Sequence, residues 1–194
     1  MKQKGFRKAH DEIADAKQAA RRMASAGSLD EAEREWRVFL EHFARMFNKL
    51  HLACRDDPRA FPWYGRKKHE REQDETLVYL LQARHSNEHS LDDITEQAPS
   101  FLSIGAAGEE VIIRELRIDG KGNLSGAVSG KPKVTITKGP AKLKLLPVTN
   151  RGVTYQPPKE ELVAELEATP WRICETAIAY AEQLLQEASQ FLDK

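Results

Sequence analysis

Apolar residues recur every three or four positions along much of this chain, the period of a helix with one buried face. Over 8–26 the stripe is Ala9, Ile13, Ala16, Ala20 and Met23, with Lys, Arg, Asp and Glu on the other faces, so the spacing predicts an amphipathic first helix. Gly27 supplies a stop, and Ser28 with Glu31 forms a capping box that starts the next helix. A tight helical hairpin follows. Over 29–54 the stripe turns aromatic, with Trp36, Phe39, Phe43 and Phe47 among Ala32, Leu40, Met46 and Leu50. Side chains of that size at that spacing belong in a bundle core rather than on a cofactor or base-stacking surface.

Arg55-Asp56-Asp57-Pro58 ends the second helix, and a loop to about residue 67 carries Phe61-Pro62-Trp63-Tyr64-Gly65. Packing on the bundle end is the favoured role for these aromatics, and stacking on a base is the alternative. A third helix is predicted over 68–88. Its core face, Leu77, Leu80 and Leu81, runs on into Arg84 and Glu88. Ser90, with Asp93 three residues on, reads as the cap of a short helix through Glu96.

From Glu109 the texture changes to β-branched runs. Val111–Ile118, Val134–Thr137 and Leu143–Leu146 read as strands, and Asp119-Gly120-Lys121-Gly122-Asn123 as a hairpin turn. Six lysines between 121 and 144 suit exposed strand edges. An acidic helix is expected over 159–168. Thr169-Pro170 then marks the start of a last long helix carrying Trp171, Cys174, Ile178, Ala181, Leu185, Ala188 and Leu192 on one face. The fold class expected is mainly α (α+β): a helical bundle, 1–98 and 157–194, with a small antiparallel β insert, 109–156, between the third and last major helices.

Thirty basic residues balance thirty acidic ones in 194, which argues against a uniformly basic nucleic-acid binder. Local charge decides instead. Arg66, Lys67 and Lys68, followed by His69, read first as a solvated approach to the third helix and, as the alternative, as the candidate phosphate contact. Two distant cysteines, Cys54 and Cys174, make neither a disulfide framework nor a zinc ribbon. No run approaches the ~18 apolar residues of a membrane span, and the N-terminal stretch has no apolar signal region. A cytoplasmic protein with no membrane association is expected.

The chemistry concentrates in Ala83-Arg84-His85-Ser86-Asn87-Glu88-His89, where Arg84, His85, Glu88 and His89 crowd onto little more than one helical turn. His85 and His89 stand four apart beside Glu88, a spacing zinc sites use, but no third or fourth ligand is obvious nearby, so neither metal nor cofactor is expected. Gly120, Gly122 and Gly126 do not lead from a strand into a helix, so they make no phosphate-binding loop.

An arginine followed by a polar residue, then a histidine after four to six positions, at the end of a major helix of a compact bundle, resembles the HEPN superfamily, many of whose members are RNases. Here the matching residues are Arg84, His85 and His89. Arg37…His42 and Arg45…His51 share the spacing, but Val38 and Met46 follow those arginines. The resemblance covers roughly 8–90 and 169–192 and leaves out the β insert. It implies metal-independent RNA cleavage by attack of the neighbouring 2′-hydroxyl, with His89 as general acid and base and Arg84 on the phosphate. His85, Asn87 and Glu88 would orient the pair or contact substrate. It further implies RNA as partner, a homodimer with a composite site, and a toxin–antitoxin or defence role under a regulatory protein partner. The alternative is a helical-bundle module that binds or dimerises without turnover. In an ideal helix five residues turn through about 140°, so a single copy does not aim Arg84 and His89 the same way.

Overall fold

The computed structural model describes residues 1–98, 101–107, 112–118, 124–129, 133–139, 141–158 and 169–192, with backbone alone for the strands between 101 and 139. The helices are α1 (Gln3–Ala24), α2 (Leu29–Cys54), α3 (Ala60–Arg71), α4 (Glu75–His89) and α5 (Pro170–Ala188). The strands run from β1 (Thr95–Ala98), β2 (Phe101–Ala107), β3 (Ile112–Ile118) and β4 (Leu124–Ser129) to β5 (Lys133–Gly139), β6 (Lys142–Leu145), β7 (Val148–Asn150) and β8 (Val153–Tyr155). A mainly helical bundle with small two-stranded ladders inserted before its last helix is the fold.

The chain divides into two compact units, Met1–Ala98 with Leu143–Lys194, and Pro99–Lys142. In the first, α1 and α2 pack as a hairpin. Ala9, Ile13, Ala16, Ala20 and Met23 are all buried, as the period predicts. The hairpin turn is held by Ser28, whose side chain accepts from the Glu31 amide at 3.2 Å, while the Glu31 carboxylate accepts from the Gly27 amide at 2.8 Å. Where the helices cross, a Cβ on Gly5 would lie 2.8 Å from that of Ala53, so only glycine permits this approach.

The aromatic stripe of α2 is core. Trp36, Phe39, Phe43 and Phe47 form a ladder with successive ring centroids 5.9, 5.5 and 5.1 Å apart, continued to Tyr180 of α5 at 6.4 Å. Fixed rings of this kind make the α2 wall a rigid support for whatever packs against it.

The stretch after α2 differs from expectation. Residues 60–71 form α3 in place of a loop, and the helix expected over 68–88 is two helices broken at Glu72–Asp74. Pro62 is tolerated because it falls in the first turn of α3, where amides have no intrahelical partner. The Asp57 carboxylate takes two of those amides, Arg59 at 2.8 Å and Ala60 at 2.9 Å. Asp74 starts α4 by accepting from the Leu77 amide at 2.9 Å. Trp63 and Tyr64 are buried, whereas Phe61 stays 48% exposed.

Residues 90–96 form no short helix either. Ser90 closes a turn with Asp92, and Thr95 already begins β1. The ladders are β1–β6, β2–β5, β3–β4 and β7–β8. In the second unit β3–β4 nests inside the antiparallel β2–β5 pair, with a bulge between Ile113 and Glu115. The strands β1 and β2 precede the expected start of the insert. Residues 143–156, expected within the insert, group with the helices: Leu143, Leu145 and Val148 are buried in the bundle core. Tyr79 of α4 donates to the Leu146 carbonyl at 2.8 Å. The β7–β8 hairpin turns through Arg151 and Gly152, both at positive φ, and Asn150 donates to Gln82 of α4 at 2.7 Å. The expected acidic helix over 159–168 lies outside the described residues. Among the described residues no helix is long and apolar enough to cross a membrane.

Candidate functional site

Helix α4 ends in the candidate cluster. Its first half is core, with Leu77, Tyr79, Leu80 and Ala83 buried, and that anchoring fixes the direction of the polar second half. Arg84 and Glu88 lie one turn apart on one face. The Arg84 Nη2 meets the Glu88 Oε1 at 2.5 Å, with Arg84 24% and Glu88 29% exposed. The other carboxylate oxygen of Glu88 lies 3.7 Å from His89 Nε2. Glu88 thus stands between Arg84 and His89. The His85 and His89 rings run nearly parallel, centroids 6.1 Å apart.

The exposures separate these residues. The His89 side chain is 72% exposed, at the last residue of α4. His85 is half-buried, and burial first, then the positive charge of Arg84 and the neighbouring His89, hold its pKa below the usual histidine value. Its neutral form is favoured. Asn87 is half-buried and Ser86 buried. The Arg84 Nε and the Ser86 Oγ are buried atoms without a hydrogen-bond partner among the described residues.

A cleft of about 700 Å³ opens between α2, α3 and α4. Its floor is apolar, from Phe43, Phe47, Tyr64, Leu77 and Leu80, and its polar lining is Asn48, His51, Lys68, Arg71, Arg84 and His85. Among the described residues no aspartate or glutamate lines it. The Arg71 guanidinium lies 3.8 Å from the centre of the Phe47 ring, a cation–π contact that holds its charge over the cleft wall. Arg84 and His85 face this cleft; Asn87, Glu88 and His89 do not line it. The helix break at 72–74, invisible in the periodicity, is what lets α3 and α4 diverge around it.

The candidate phosphate patch is also placed differently from expectation. Arg66, Lys67 and Lys68 belong to α3 rather than to an approach loop. Lys67 is held by Glu70 at 3.1 Å and Glu187 of α5 at 3.0 Å, and these carboxylates, Glu187 foremost, raise its pKa. It braces α3 against α5. Lys68 lines the cleft, with Glu72 3.6 Å away, and Arg66 is exposed.

One group of possible metal ligands comes together among the described residues: Glu12, Asp15 and His42, with ligand atoms all within 4.8 Å. His42 Nδ1 stands 2.8 Å from Glu12 and 3.8 Å from Asp15, so the group ties α1 to α2. His85, Glu88 and His89 form no such group. The sequence does not assign His51 and Arg71 to this site, because only the approach of three helices brings them into one lining with Arg84. No family model matches the chain, and neither a curated protein nor a solved structure does.

Proposed function

We propose that the end of α4 acts on RNA, cleaving the phosphodiester without a metal ion. The observation that carries this reading is Glu88 standing between Arg84 and His89, beside a cleft that no aspartate or glutamate among the described residues lines. A scissile phosphate arriving there displaces Glu88 from Arg84, whose planar fork then holds the non-bridging oxygens. His89 takes the 2′-hydroxyl proton; the 2′-oxygen forms its bond to phosphorus, and the bond to the 5′-oxygen breaks. A proton returned to the 5′-oxygen leaves a 2′,3′-cyclic phosphate and a 5′-hydroxyl. Histidine suits both transfers because its pKa lies near neutrality. His85, half-buried beside Arg84 on the cleft side, contacts the substrate or orients the pair. An exposed His89 is open to substrate or to a second copy of the chain, and a homodimer pairing two such helix ends would bring one copy's arginine to the other's histidine.

The test is cleavage of a mixed RNA pool in excess EDTA by wild type, Arg84→Ala and His89→Ala, each checked for an unchanged melting curve. The reading expects cleavage by the wild type alone. A second reading is favoured by the Arg84–Glu88 ion pair itself, which occupies the guanidinium: a module that binds RNA or a regulatory protein without turnover. Retained RNA binding with no cleavage in any of the three proteins would select it.

A further inference from the structure

The cleft between α2, α3 and α4 has a chemical character of its own. Two of the exposed large apolar side chains, Phe61 at 48% and Leu81 at 39%, line it, one from α3 and one from α4. Exposed apolar groups above an apolar floor mark a ligand site more often than a bare surface. The ring of His51 lies 6.3 Å from that of Phe61 and 5.3 Å from that of Tyr64, so the mouth offers a group of aromatic faces. Lys68, Arg71 and Arg84 line it, and the carboxylates that pair two of them, Glu72 with Lys68 at 3.6 Å and Glu88 with Arg84 at 2.5 Å, stand outside the lining, where an incoming anion would displace them. A flat apolar body joined to an anion is the shape this lining complements.

From this lining we infer that the cleft binds a single unpaired nucleotide, its base against Phe61, His51 and Leu81 and its phosphate toward Lys68, Arg71 and Arg84. The choice of a nucleotide over other flat anions rests on the RNA reading of the adjoining helix end; the presence of an anion site does not. The volume, about 700 Å³, suits one nucleotide rather than a folded strand. Base–aromatic stacking and charge-assisted phosphate contacts each supply part of the affinity. Free mononucleotide and a nucleotide within a single strand share this chemistry.

Gly65 gives the means of closing the cleft without damaging the fold. It lies inside α3 and lines the cleft, and a Cβ there meets nothing within 4 Å. Leucine in place of a helical glycine favours the helix and projects into the open space. The experiment titrates the full-length chain with AMP, adenosine, inorganic phosphate, octanoate and a tetra-adenylate by calorimetry, and repeats AMP with Gly65→Leu, Gly65→Ala and Lys68→Ala. AMP should bind at least about tenfold more tightly than adenosine or phosphate alone, since each lacks one half of the recognition. Gly65→Leu should abolish AMP binding with the melting temperature unchanged or raised, Gly65→Ala should retain it, and Lys68→Ala should weaken it. Tetra-adenylate tighter than AMP assigns the site to a strand, and AMP at least as tight assigns it to free nucleotide.

Undetectable AMP binding at millimolar concentration, binding unaffected by Gly65→Leu, or octanoate binding as tightly as AMP would overturn the inference. RNA cleavage is followed in parallel. Cleavage without AMP binding overturns the cleft alone, and AMP binding without cleavage overturns the nuclease reading alone.

Discussion

Two arginine–histidine pairs of the same spacing sit in different surroundings in this bundle. Arg37 is paired with Glu33 at 2.6 Å, and His42 lies 22% exposed against Glu12 and Asp15 of α1. Arg37 is 43% exposed, so it is the histidine end of that pair that is tied into the packing between α1 and α2. Arg84 is also paired one turn along, to Glu88, but His89 is 72% exposed at a helix terminus. Spacing is therefore common to both, and the access of the histidine distinguishes them. The third pair divides the roles differently: Arg45 meets Glu41 at 2.8 Å on the exposed side, while His51 turns to the cleft mouth. A proton donor or acceptor must reach its substrate, so of the two pairs tied alike to carboxylates only Arg84 and His89 have chemistry open to them.

Exchanging histidines tests the contrast most strongly. His89→Ala should lower RNA cleavage by about 10²- to 10⁴-fold, the usual contribution of a general acid–base group, while His42→Ala leaves the rate within a factor of about two once folding is matched. Equal losses in both variants would erase the distinction. Stability should respond in the opposite sense. His42→Ala should cost about 1 kcal/mol in a urea melt by removing a half-buried carboxylate–imidazole contact between α1 and α2, and His89→Ala about 0–0.5 kcal/mol, since exposed pairs contribute little.

A smaller effect concerns His85, which faces the cleft. With its folded pKa below the ordinary 6.5, the unfolded chain binds a proton that the folded chain resists between the two values. Stability is therefore full above 6.5 and falls as pH drops through that window. His85→Gln should flatten the loss of melting temperature between pH 7 and pH 5, and an unaltered slope would show that His85 does not carry it.

How far these features could be read in advance follows from their range. The faces of α1, α2 and α5 repeat over several turns, and each repeat is local evidence of burial, so Trp36, Phe39, Phe43 and Phe47 declare themselves. The α3–α4 break does not, because Glu72, Gln73 and Asp74 satisfy a continuing polar face as well as a turn, and Pro62 with Gly65 imitates a loop. The strand Thr95–Ala98 carries no alternation and owes its conformation to pairing with β6. At the site, the Arg84–Glu88 contact is a spacing of four and can be read directly. That Arg84 enters a cleft with His51 and Arg71 while His89 leaves it depends on three helices meeting, which no local pattern encodes.

The most direct measurement compares an oligoribonucleotide cut by the wild-type protein in excess EDTA with the same oligomer carrying 2′-O-methyl groups. Cleavage of the first with cyclic phosphate ends, and none of the second, is the predicted result. Cutting of both would place the nucleophile elsewhere and contradict the role given to His89.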